Sequence, residues 1–95
     1  MRLSIKEITI IKDAVYNMDP NAVVYLYGSR INDLSKGGDI DLLILTDKLS
    51  CLKDKSKIRW AIFEKLGEQK IDMILSSKKF ENNFVKNIFE HAIKL

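Results

Sequence analysis

The connection between two apolar runs constrains this chain more than any other feature. One run ends at Gly28-Ser29-Arg30, and a second opens with Asp39-Ile40-Asp41. Both runs are rich in the aliphatic, β-branched and aromatic residues that are typical of strands. Because the connection 28–38 is shorter than the dozen or more residues that a parallel return needs, the two strands are predicted to be antiparallel. Gly28 and Asp39 should then lie at the same end of a sheet.

Residue periodicity predicts three helices and three strands in one domain, 1–95. The helices are predicted at 4–18, 50–66 and 77–94, and the strands at 22–27, 39–46 and 70–75. Ser4 and Glu7 have the spacing of a capping box, and Gly67 is expected to end the second helix. The order is α-β-β-α-β-α, with room for a short helical turn after Ser29. The predicted fold class is therefore α/β (α+β), with helices packed on a small mixed three-stranded sheet.

Composition limits the functions that are open to the chain. With 46% hydrophobic and 31% charged residues it has the composition of a soluble globular domain, and no apolar run is long enough for a bilayer. No signal-peptide core follows the first residues, so a cytoplasmic protein is expected. The single Cys51 excludes an internal disulfide. The net charge of +3 permits phosphate contacts, but the basic residues are scattered, which makes a nucleic acid acceptor the weaker expectation.

Three aspartates are predicted to share one end of the sheet. Asp39 and Asp41 are two apart in a strand, so they project to the same face, where two carboxylates repel unless a pKa rises or a cation binds. Asp72 is polar within the apolar run 70–75, where an unpaired buried carboxylate would be costly. If helix 50–66 is a crossover, strand 70–75 runs parallel to strand 39–46 and brings Asp72 beside the other two. Oxygen ligands without His or Cys suit Mg²⁺ or Mn²⁺.

The turn after the first strand is suited to phosphate. Gly28 allows the backbone to approach a ligand closely, and Ser29 offers a hydroxyl and an amide N–H. Arg30 either neutralises a phosphate or pairs with Asp33, and the sequence leaves both open. A P-loop, a dinucleotide fingerprint and an EF-hand all fail on spacing.

The combination of Gly28-Ser29, Asp39-Ile40-Asp41 and a later strand with Asp72 resembles the signature of the DNA polymerase β type nucleotidyltransferases, in particular the minimal nucleotidyltransferases (MNT). The resemblance covers nearly the whole chain. Nine residues separate Ser29 from Asp39, where ten are frequent in the family. The resemblance implies a palm-like fold in which Gly28, Ser29 and Arg30 bind the triphosphate of ATP or another NTP. Asp39, Asp41 and Asp72 would be catalytic and would hold two metal ions, Mg²⁺ or Mn²⁺.

The resemblance also implies a partner. Minimal nucleotidyltransferases act beside a small helical HEPN protein, a toxic ribonuclease, and some restrain it by transferring AMP to a tyrosine. The expected function is thus the transfer of a nucleoside monophosphate, with AMP from ATP as the first expectation, to a hydroxyl of a HEPN-type toxin. This chain would be the antitoxin. The alternative is a binding module that neutralises its partner by contact alone. Modification of RNA ends is the third and weakest hypothesis, and self-association stays open.

Overall fold

The computed structural model describes residues 3–28, 39–79 and 82–95. Its elements, in chain order, are α1 (Ile5–Tyr16), β1 (Val23–Tyr27), β2 (Ile40–Leu45), α2 (Leu52–Leu66), β3 (Ile71–Ser76), α3 (Asn83–His91) and β4 (Ile93–Lys94). The strands form one mixed sheet in the order β3-β2-β1-β4. The α+β fold class is confirmed. The sheet has four strands, however, where three were predicted.

The helix ends follow local chemistry. The Ser4 hydroxyl accepts the Glu7 N–H, and the Glu7 carboxylate accepts the Ser4 N–H, so the predicted capping box is present. At the C-terminal end of α2, Gly67 has φ 80°, and its N–H donates to the carbonyl of Phe63. Glycine reaches that conformation without the steric cost that a side chain would bring, so it ends the helix as expected.

Strand directions agree with the sequence argument. β1 and β2 are antiparallel, because a short connection cannot carry the chain back to the starting end of the sheet. β2 and β3 are parallel, with α2 as the crossover between them. The result is that the end of β1 and the beginnings of β2 and β3 meet at one end of the sheet.

Helices cover both faces of the sheet. α1 and α2 pack on one face through Ile11, Val15, Ile58 and Ile62, all fully buried beneath the sheet residues that point toward them. α3 covers the opposite face through Val85, Ile88 and Phe89, next to Leu43 and Leu45. β2 is accordingly apolar on both faces after its second residue, as its uninterrupted aliphatic run predicted. None of the helices in the described ranges has the length and hydrophobicity needed to cross a bilayer.

The predicted last helix, 77–94, was wrong at both ends. α3 ends at His91, Ala92 is extended at φ −88° and ψ 156°, and Ile93–Lys94 pairs antiparallel with β1. Apolar residues at helical spacing cannot reveal this change. The extended form of residues 93–94 is stabilised by pairing with β1, which is distant from them in the sequence. At the N-terminal end, residues 77–79 are not helical and residues 80–81 lie outside the described ranges. α3 begins at Asn83, after Asn82, whose side-chain oxygen accepts a hydrogen bond from the Phe84 N–H and caps the helix there.

Candidate active site

Three polar side chains form a row across three neighbouring strands. The register pairs Tyr27 of β1 with Asp41 of β2, and Asp41 with Asp72 of β3. Directly paired residues project to the same face of a sheet, so all three lie on the α3 face. We call Tyr27, Asp41 and Asp72 the polar row. It lies at the end of the sheet where β1 finishes and β2 and β3 begin.

Asp41 is the central member of the row, between Tyr27 and Asp72. It is half-buried, and burial raises the pKa of its carboxyl, with the charges of Asp72 and then Asp39 acting in the same direction. A hydrogen bond between the Asp41 and Asp72 side chains also raises this pKa, because two carboxyl groups can share such a bond only through a proton. Lys70 opposes the shift weakly. The site therefore concentrates negative charge that a cation would relieve.

The other two aspartates differ from each other in their surroundings. Asp72 is exposed, whereas the sequence argument placed it in a buried setting; β3 is an edge strand, and α3 packs over β1 rather than over β3. Asp39 precedes β2, and its Oδ2 is 3.4 Å from the Nζ of Lys70. The structure thus brings Asp39, Asp41 and Asp72 to one end of the sheet, but it gives Asp39 a basic partner.

Gly28 lies against the central carboxylate. Its φ is 80°, and a Cβ built on it would overlap Oδ2 of Asp41 and stand 3.0 Å from Cγ. The chain needs glycine at this position for both reasons, since a side chain would be strained and would displace the carboxylate. The predicted phosphate residues Ser29 and Arg30 lie outside the described residues.

Two neighbours of these acids, Tyr27 and Lys70, were not predicted from the sequence. Tyr27 is half-buried, and the pKa of its phenol is raised by burial and then by the charges of Asp41 and Asp72. Lys70 lies beside Asp39 because the Ile40 N–H donates to the Lys70 carbonyl, which aligns the starts of β2 and β3. Lys70 is two residues before Asp72, so the alternation of side chains along a strand already predicts that the two share a face. Tyr27 could be found only from the β1–β2 register.

The donor set partly fits the divalent cations that the sequence predicts. Asp41 and Asp72 supply carboxylate oxygens side by side on one face, which suits hard ions such as Mg²⁺. Over the residues that the structure describes, no group of three His, Cys, Asp or Glu side chains is arranged to hold a metal ion. Asp39 is turned to Lys70 instead. The Asp41–Asp72 pair is thus the part of the predicted ligand set that the geometry supports.

A polar groove of about 430 Å³ lies at the end of the sheet opposite to the polar row. Its lining residues are Asp19, Asn21, Asp47, Lys48 and Lys78. Asp19 is buried there, and its carboxylate accepts the Thr46 hydroxyl and the Asn21 N–H. These bonds join the start of β1 to the end of β2, so the buried acid has a structural role.

Comparison with known proteins agrees with this geometry. No curated protein sequence matched the chain. The family model described as polymerase beta, nucleotidyltransferase matches residues 9–95, from within α1 to the last residue. That span includes the whole sheet, Gly28 and all three aspartates. The chain therefore belongs to the polymerase beta nucleotidyltransferase family.

Proposed function

We propose that this protein transfers a nucleoside monophosphate, AMP from ATP, to a hydroxyl group of a partner protein. Family membership supports nucleotidyl transfer in general. The observation that carries the proposal further is the position of Gly28 against the Asp41 carboxylate, with Asp72 beside it on the same face. A backbone that can approach phosphate closely thus adjoins a carboxylate pair that needs a cation.

Each residue in the site has a proposed task. Gly28, with Ser29 and Arg30, would hold the triphosphate. Asp41 and Asp72 would hold a divalent cation, Mg²⁺ or Mn²⁺, and Asp39 would join them on leaving Lys70, so that two ions can bind. Bound cations of this kind supply Lewis-acid polarisation of phosphate oxygens.

The reaction itself is a displacement at the α-phosphorus. The acceptor oxygen forms a bond to this phosphorus, the bond to the bridging oxygen breaks, and pyrophosphate leaves with that electron pair. Asp72 is the exposed acid of the polar row, so we assign it to the side where the acceptor hydroxyl arrives, where it takes the hydroxyl proton. Holding the reactants in this alignment would account for much of the rate.

The acceptor is proposed to be a docked protein. Among the described residues, four large apolar side chains are strongly exposed: Ile5 at 84%, Leu52 at 74%, Trp60 at 67% and Phe84 at 64%. Ile5, Leu52 and Trp60 belong to α1 and α2, which lie on the same face of the sheet, and that face is suited to a helical partner. We propose a HEPN-type toxin, with this chain as its antitoxin, acting together in the cytoplasm.

These same apolar side chains also support the second candidate. A module that neutralises its toxin by contact alone would use this surface without the polar row. The two functions therefore differ in whether the aspartates matter, and the test must separate catalysis from docking.

The test is a labelling experiment with matched variants. The protein is incubated with ATP labelled at the α-phosphate, Mg²⁺ and a lysate of its own cells. Wild type and Asp13→Asn, an exposed aspartate on α1 that removes the same charge far from the row, should label one protein. Asp41→Asn should label none. Equal labelling by Asp41→Asn would contradict the proposal, as would the absence of label from every reaction in which the partner is shown to bind.

A further inference from the structure

Tyr27 is placed on the acidic site by the sheet register. It is paired directly with Asp41, and residues paired in this way have Cβ atoms about 4.5–5.5 Å apart. Its ring also packs against the apolar cluster beneath α3. The ring is thus held from the α3 side, while its place in the register puts it next to the carboxylates.

Tyr25 shows that this environment is specific to Tyr27. Both tyrosines belong to β1, point to the α3 face and are half-buried. Tyr25 is paired with Leu43, and its ring meets Phe89 edge to face, with centroids 5.1 Å apart. An aromatic ring would satisfy packing at either position, but of the two tyrosines only Tyr27 is paired with an acid.

Carboxylates that bind a cation need donors for their remaining lone pairs. An ionised carboxylate can only accept hydrogen bonds, and the groups that donate to metal ligands fix the orientation of those ligands. A phenol is a donor at any pH below its usual pKa of about 10. The neighbouring strand offers this donor to Asp41.

We propose that Tyr27 is a positioning residue, whose hydroxyl donates to the Asp41 carboxylate when a divalent cation binds and so fixes the Asp41–Asp72 pair around the ion. This inference rests on the proposed function. Tyr27 directly precedes Gly28, the first of the proposed phosphate-binding residues. Its proposed task is to order the metal ligands, and the apolar residues around it cannot perform this task.

The experiment measures Mn²⁺ affinity without nucleotide, by electron paramagnetic resonance of the free ion. Wild type, Tyr27→Phe and Tyr25→Phe are compared, and a thermal unfolding curve is recorded for each. Tyr27→Phe keeps the ring and should bind Mn²⁺ roughly tenfold more weakly, the lower end of the effect seen when a donor to a metal ligand is lost. Tyr25→Phe should bind as the wild type does.

Each outcome decides the matter. Wild-type affinity in Tyr27→Phe would overturn the inference while leaving the proposed function intact. Equal weakening in both variants would also overturn it, because packing of the shared face would then be responsible. A wild type that binds no Mn²⁺ would overturn the proposed metal dependence, and the inference with it.

A second measurement covers the case in which Tyr27→Phe does not fold. The wild-type chain is labelled with fluorotyrosine, and its three tyrosine signals are assigned with Tyr16→Phe and Tyr25→Phe. Paramagnetic Mn²⁺ should broaden the fluorine signal of Tyr27 first. Broadening that spares Tyr27 would overturn the inference.

Discussion

Replacing Gly28 by alanine tests the contact on which the site depends. The added Cβ would overlap Oδ2 of Asp41 and would stand 3.0 Å from its Cγ and 3.3 Å from its Cβ. Gly67 provides a matched control. It has the same φ of 80°, and its Cβ would meet no atom within 4 Å in the part of the chain that the structure describes.

The two substitutions share one cost and differ in another. Forcing alanine to a positive φ costs about 1–3 kcal/mol in either position. At Gly28 the Asp41 side chain must also leave its place, and an off-rotamer side chain costs about 0.5–1.5 kcal/mol. For a domain of this size each kcal/mol lowers Tm by about 4–8 °C. Both variants should therefore be destabilised, and only Gly28→Ala should disturb the carboxylate.

A double-mutant cycle isolates that second cost. Urea unfolding gives the stability change of each alanine variant in the wild type and in an Asp41→Ala background. Removing the carboxylate should make Gly28→Ala less costly by about 0.5–1.5 kcal/mol, the value of the displaced side chain. The cost of Gly67→Ala should be the same in both backgrounds.

Mn²⁺ titration supplies the functional readout on the same proteins. Gly28→Ala should lose Mn²⁺ affinity while still folded, because Asp41 is turned away, and Gly67→Ala should keep it. The reasoning is refuted if Gly28→Ala shows no coupling to Asp41 and binds Mn²⁺ as the wild type does.

Three further predictions concern acids and their partners. The pKa of Asp41 is higher in the folded than in the unfolded protein, so the metal-free wild type loses stability as the pH rises from the unfolded-state pKa to the folded-state pKa. Asp41→Asn should therefore have a higher Tm than the wild type at neutral pH but not in acid. Equal Tm values at neutral pH would contradict this prediction. Thr46→Val removes a hydrogen bond to the buried Asp19, whose pKa is lowered chiefly by that bond. It should cost about 1–3 kcal/mol in urea unfolding at neutral pH and less as pH falls through the folded pKa of Asp19, and a constant cost would count against it. Lys70→Met frees Asp39 and should tighten Mn²⁺ binding, whereas weaker binding in a titration would show that the ion pair supports the site.

The arrangement of the acids was predictable because loop length and strand parity decide it. A short connection after Gly28 requires an antiparallel return, and a helical crossover requires a parallel third strand. Those two facts bring Asp41 and Asp72 together without any knowledge of side-chain packing. The register confirms this placement, while the catalytic roles stay predictions.

Features that depend on contacts distant in sequence could not be predicted. β4 forms because Ile93–Lys94 finds an open edge of β1, although the preceding residues have helical spacing. Asp72 is exposed because β3 is the other edge strand of the sheet. The apolar residues around Asp72 are typical of a buried strand and gave no sign of this edge position. Tyr27 looked like an ordinary strand aromatic, since only the register places it beside Asp41.

The most direct test of the central claim is the intact mass of the partner protein copurified after coexpression. With wild type, a fraction of the partner should carry one nucleoside monophosphate, and fragmentation should place it on a hydroxyl side chain. With the combined Asp39→Asn and Asp41→Asn variant, the partner should copurify unmodified and active. A partner that is silenced by this variant and never carries an adduct with wild type would contradict nucleotidyl transfer and establish neutralisation by contact.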